Sequence, residues 1–166
     1  MPIATLIHDF LVEANRTDLV LGRELEPFQV QVLGVERTLC EKIMGLVRAG
    51  HEKDALADFR RRIRHFYDIV MIMRKREHQA FVTSDAFAEL IAEVREWDRQ
   101  SMPGAAAWLD PPLGEAMIVT DAENLWREIR SEFRGSFKDM VYSDSLPDDD
   151  EVLTCLASVG ASLARV

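Results

Sequence analysis

Two short stretches set charged residues inside apolar helical rhythms, and they are where this 166-residue chain offers chemistry. In Val35-Glu36-Arg37-Thr38-Leu39-Cys40-Glu41-Lys42-Ile43, the residues Val35, Leu39 and Ile43, continued by Leu46 and Val47, keep the i, i+4, i+8 spacing of a core-facing stripe. In Arg64-His65-Phe66-Tyr67-Asp68-Ile69, the positions Arg64, Tyr67, Asp68 and Met71 fall at i, i+3, i+4 and i+7. Arg64 and Asp68 therefore share a face one turn apart. A lysine (Lys42) and an aspartate on two packed helices, with an arginine beside the acid, suit the binding of phosphate and metal. They equally suit a plain buried ion-pair cluster, and spacing alone does not choose between the two.

The elements that must position these residues are mostly helical. Residues 3–15 carry Ile3, Leu6, Ile7, Phe10 and Leu11 at amphipathic spacing, with Asn15 and the segment to Gly22 closing the helix. Phe28-Gln29-Val30-Gln31-Val32 alternates apolar and polar, as a half-buried strand does. A lone strand needs a partner, and residues 18–25 or a second copy of the chain qualify. Helix 35–49 ends at Gly50, a polar linker covers 50–58, and helix 59–77 follows with Ile63, Phe66, Tyr67, Val70, Met71 and Met73 inward. Helix 84–99 starts at a Thr83 or Ser84 cap and faces the core through Phe87, Leu90, Ile91, Val94 and Trp97. Pro103-Gly104, Pro111-Pro112 and Gly114 exclude a regular helix over 100–119, where Trp108 and Leu109 anchor the loop. Thr120-Asp121-Ala122-Glu123 reads as a capping box before a helix that Gly135 ends, and Phe137, Met140 and Val141 continue the burial. Acidic residues 148–151 start a last helix over 149–164. The expected fold is mainly α: an irregular helical bundle with one short strand or hairpin near the N-terminus. It is expected to be a single domain, with a helix and strand in 1–34 and the bundle in 35–166.

At the two charged stretches the chain resembles the AbiEii/AbiGii-type nucleotidyltransferase toxins. Members of that family read as Glu-Arg-Thr-x-x-Glu-Lys followed by Arg-His-x-Tyr-Asp. The matching elements here are Glu36-Arg37-Thr38-Leu39-Cys40-Glu41-Lys42 and Arg64-His65-Phe66-Tyr67-Asp68, preceded by the strand-like Phe28–Leu33. The resemblance implies Lys42 and Asp68 as catalytic residues, with Arg64, His65 and Arg37 as substrate-binding candidates. His65 is either a donor to a phosphate oxygen or a packed histidine. The resemblance also implies an abortive-infection or toxin–antitoxin setting, with an RNA 3′ end or a partner antitoxin as partners. In the family a Gly-Ser motif and an acidic pair hold Mg²⁺ and the nucleoside triphosphate, and neither precedes Val35 here. The expectation is a C-terminal part of such a transferase, not catalytic alone. It would carry no metal site or cofactor of its own, and would use Mg²⁺ and a nucleoside triphosphate only when completed by the other half. The alternative is a non-catalytic binding or regulatory helical module, and an unrelated helical protein with structural charges stands behind both. A strand left without its sheet also points to a homodimer through Phe28–Leu33.

Composition excludes other classes. No apolar run approaches the roughly 18 residues of a membrane span. Met1-Pro2-Ile3-Ala4 lacks the features of a secretory signal, so a cytoplasmic protein with reduced Cys40 and Cys155 is expected. His8, His51, His65 and His78 form no His-x-x-x-His pair, and no Gly-x-Ser-x-Gly, Walker or dinucleotide fingerprint occurs. The net charge of −9 argues against a surface that is wholly a nucleic-acid platform. Residues 36–80, however, hold eleven Lys/Arg against seven Asp/Glu, while 121–151 hold four against ten. That basic segment adjoins the charged stretches and suits a polyphosphate or an RNA end, or else a solvated face of ordinary ion pairs.

Overall fold

The structure, a computed structural model, describes residues 2–21, 23–142 and 146–166, and these form two units, Met1–Gly34 and Val35–Val166. In the first unit, β1 (Pro2–Ile3) pairs antiparallel with β2 (Phe28–Gln29), Pro2 opposite Gln29 and Ile3 opposite Phe28. Between them lie α1 (Leu6–Glu13) and α2 (Thr17–Leu21). Helix α1 starts later than its apolar pattern suggests because the Thr5 hydroxyl accepts from the His8 N–H at 3.1 Å, which caps it. Asn15, at φ 56°, ends it: Arg16 N donates to Leu11 O and Asn15 N to Val12 O, the paired bonds of a left-handed helix stop. Gly22, the other expected stop, lies outside the described residues.

Two expectations for this unit are corrected. The strand partner is Pro2–Ile3, since residues 17–21 are helical, and the ladder covers only Phe28–Gln29 of the expected 28–33. The stripe of α1 faces solvent, with Leu6, Ile7 and Phe10 at 88%, 60% and 68% exposure.

The second unit is a bundle built around α3 (Val35–Ala49), seven of whose fifteen residues are buried. So wide an apolar arc must be covered from two sides. α5 (Ile63–Met73) and α7 (Asp85–Ser101) cover it. The expected single helix over 59–77 is broken twice. α4 (Ala55–Arg61) begins inside the supposed linker, where the Asp54 carboxylate caps it by accepting from Ala57 N. It stops where the buried Asp58 accepts from Arg61 Nη2 at 2.5 Å and Arg62 Nε at 2.8 Å, Arg62 leaving helical geometry to start α5. The second break is Lys75, whose extended backbone precedes α6 (Arg76–Val82), and Gln79 satisfies the freed Met73 carbonyl at 2.7 Å.

Beyond α7 the proline- and glycine-rich segment makes only single turns, α8 (Ala106–Leu109) and α9 (Met117–Thr120), with Trp108 and Leu109 buried as expected. α10 (Ala122–Arg134) ends at Gly135, and α11 (Asp149–Leu163) is capped by Asp148, which accepts from Glu151 N at 2.8 Å. The capping box expected at Thr120 does not form. The Thr120 hydroxyl donates to Ala116 O within α9, and Asp121 accepts from the Asn124 side chain. Trp97 and Met140, expected inside, are 54% and 66% exposed, and Val35 is 45% exposed. Tilted and edge-on ring contacts from Phe59 through Phe66 and Trp126 to Phe133 tie α4, α5 and α10 together. The architecture is mainly α, as expected. Among the described residues no helix is long and apolar enough to cross a membrane. Cys40 and Cys155 are free and buried, and burial pushes both thiols up to about 12.

Candidate functional site

Lys42 and Asp68 each precede a core residue, Ile43 and Ile69, at 0% and 1% exposure. Successive helical residues are turned by about 100°, so each charged side chain sits on the shoulder of the α3–α5 contact. There they meet. Lys42 Nζ lies 2.6 Å from Asp68 Oδ2, with both side chains 21% exposed. Arg64 Nε approaches the same oxygen at 3.7 Å from a side chain that is 78% exposed. Residues 26 apart in sequence are thus joined across two helices, in a semi-enclosed setting where charge is less screened than on open surface.

The pair opens on a shallow depression of about 330 Å³, lined also by Val35, Thr38, Met71, Ile72, Lys75 and His78. The three polar residues among them, Thr38, Lys75 and His78, were not among the site candidates read from the sequence. Thr38 stands four before Lys42 and Lys75 seven after Asp68, so helical spacing already places both on the right face. His78 belongs to α6, after a turn, and no periodicity reaches it. Its ring is 5% exposed, and Nδ1 is 3.3 Å from Glu36 Oε1 outside hydrogen-bonding geometry.

The other candidates lie elsewhere. Arg37, five residues and about 140° from Lys42, turns toward α7. Its Nε donates to Glu41 at 2.9 Å, and its Nη1 lies 3.8 Å from Glu93. His65 packs beside the pair but against Gly45, where a Cβ would stand 3.2 Å from the ring. Burial first, then the positive charges of Lys42 and Arg62, lowers His65 to about 4, so the ring is neutral at pH 7. Its Nδ1 is buried without a hydrogen-bond partner. Lys42, Asp68 and Arg64 come together, whereas Arg37 and His65 do not reach the depression.

The donor set does not suit a divalent cation. The depression's one lining carboxylate, Asp68, is committed to Lys42, and no group of three or more His, Cys, Asp or Glu converges among the described residues. What the arrangement offers is an ammonium held rigid by a carboxylate at the mouth of a partly apolar recess. That is a binding group for an anion.

The basic segment is partly neutralised within the fold. Arg61 and Arg62 pair with Asp58, Arg74 forks onto Glu151 at 2.6 and 2.9 Å, and Arg60 donates to the Glu128 carbonyl. Comparison with curated proteins and with solved structures finds no match. A family model does match, over residues 2–155, a span that includes both charged stretches and the helices that carry them. The chain belongs to the nucleotidyl transferase AbiEii toxin family of type IV toxin–antitoxin systems.

Proposed function

We propose that the Lys42–Asp68 depression binds the phosphates of a nucleoside triphosphate, and that these residues take part in nucleotidyl transfer with metal-holding carboxylates supplied by another polypeptide or by a longer gene product. The observation that carries the reading is the 2.6 Å contact between Lys42 and Asp68, made between the two motifs that resemble those of the family. Lys42 is the point charge for the phosphates. Asp68 orients Lys42 through Oδ2, and its other oxygen leaves it a role as base or as a further orienting group. Arg64, exposed at the rim, supplies a second cation. Because the depression lacks a second carboxylate, binding and catalysis separate: the chain alone binds triphosphate and does not transfer a nucleotide. The acceptor in this reading is an RNA 3′ end, and the setting is a toxin–antitoxin or phage-defence pair.

Calorimetric titration of the chain with ATP tests the binding half. Wild type gives measurable heat, and Lys42→Ala loses about tenfold or more in affinity, the worth of one charge-assisted contact. No heat at millimolar ATP overturns it. Labelled nucleotide appearing in an RNA 3′ end with the chain alone overturns the incomplete-site half. Binding of RNA or protein without any binding of triphosphate favours the alternative, a non-catalytic regulatory module.

The N-terminal unit supports a homodimer. Phe28, Val32 and Leu33 are 53%, 60% and 63% exposed, and β2 has an outer edge in its two-stranded ladder. A second copy pairing along Phe28–Leu33 covers both. Light scattering of wild type against Val32→Lys decides it, since a monomer at high concentration in wild type excludes the dimer.

A further inference from the structure

We infer that Lys75 and His78 form the far wall of the Lys42–Asp68 depression as ligand-binding residues, so that the site takes a nucleoside phosphate lying across α3, α5 and α6. The inference rests on the anion-binding reading above and extends it to residues on a third helix. Lys75 lines the depression and forms no ion pair among the described residues, unlike its neighbour Arg74, which pairs with Glu151. Among the lining residues Lys75 is thus a cation without a counter-ion, beside a Lys42–Asp68 pair that balances itself, while Glu36 and Glu77 stand behind His78. His78 is the only nine-tenths-buried polar side chain on its wall, and its Nδ1 has no hydrogen bond although Glu36 lies 3.3 Å away. An imidazole held between Glu36 and Glu77 (Nε2 at 3.6 Å) retains polar capacity that a ligand can take up.

Apart from Thr38, the remaining wall is apolar: Val35, Met71 and Ile72. A bare phosphate has no use for such a surface, whereas a nucleoside does. About 330 Å³ falls at the lower end of small-molecule sites, room for one nucleotide. The larger groove lined by α5, α6 and α11, about 720 Å³, is no competitor for an anion. Asp148, Asp150 and Glu151 line it, and its arginine, Arg74, is already paired with Glu151.

The test is titration of the full chain with two probes, ATP and inorganic tripolyphosphate, in wild type, Lys42→Ala, Lys75→Ala, His78→Phe and His78→Gln. ATP is expected to bind more tightly than tripolyphosphate. Lys75→Ala weakens both about equally, by about fivefold or more. His78→Phe, which keeps a flat aromatic ring but removes both nitrogens, weakens ATP by about tenfold, and His78→Gln restores part of the loss. Thermal melting confirms folding, and Lys75, being exposed, tests the wall even if the buried position does not tolerate change. If Lys42→Ala loses binding while Lys75→Ala and the His78 variants keep it, the inference falls and the anion site stands. If wild type binds neither probe, both fall. Equal affinity for the two probes overturns the nucleoside part.

Discussion

Lys42 and Asp68 are each about four-fifths enclosed, so removing one leaves the other half-buried without its counter-ion. Asp68→Ala is expected to lower stability by about 1 kcal/mol, a drop of about 2–4 °C in melting temperature for a chain of this size. Asp68→Asn should cost less, because the amide still accepts from Lys42. His65 gives the fold a pH dependence with a definite sign. Its folded value, about 4, lies below the 6.5 of the unfolded chain, so the unfolded state takes up the proton first. Stability is whole above about pH 6.5 and falls as pH drops toward 4. Urea midpoints from pH 7.5 to 4.5 should decline more steeply for wild type than for His65→Gln, and parallel curves would remove His65 as the cause.

At the scale of elements, a single half-buried carboxylate holds two helices to one another. Asp149, at the start of α11, accepts from Arg134 at 2.8 Å, Trp126 Nε1 at 2.9 Å and Arg130 at 3.0 Å. The Arg134 hydrogen bond foremost keeps its carboxyl below the ordinary range, so this contribution is lost only as pH falls below about 4. Asp149→Ala leaves the Trp126 N–H buried and unpaired, and is expected to cost about 2 kcal/mol in denaturant unfolding. Phe133→Ala removes a fully buried ring that touches Trp126 and Phe137, and should cost about 3–5 kcal/mol. Helices α3, α7 and α11 were readable from the chain because an end signal joins the apolar period in each: Gly50 after α3, Ser84 before α7 and the acidic run 148–151 at the start of α11. The breaks between α4, α5 and α6 were not, since an unbroken apolar rhythm carries no mark of where Asp58 will draw in Arg61 and Arg62. Nor does spacing alone show whether α1's stripe of Leu6, Ile7 and Phe10 meets a partner or solvent.

For the whole molecule, nearly all buried apolar residues belong to Val35–Val166, and among described side chains Val20 alone is buried in the first unit. Residues 35–166 expressed alone should therefore still unfold cooperatively, which calorimetry checks. Nucleic-acid affinity should be weak and fall steeply with salt, because a net charge of −9 opposes approach while the arginines of residues 60–74 are partly used inside the fold. Filter binding between 50 and 200 mM salt measures this, and salt-independent binding would contradict it.

By itself the sequence determined which side chains compete for the site and which helices carry them. Thr38 and Lys42 share one helix face and Asp68 and Lys75 another, although only Lys42 and Asp68 stood out as chemistry-bearing residues. It also carries the motifs and the long match that place the chain in its family. Only the tertiary structure decided that Lys42 reaches Asp68 at 2.6 Å, that Arg37 turns away to Glu41, and that His78 comes up beside them from α6. The reason is geometric. Periodicity fixes angles around one helix axis, while distances between helices depend on how side chains of different elements fill the space between them.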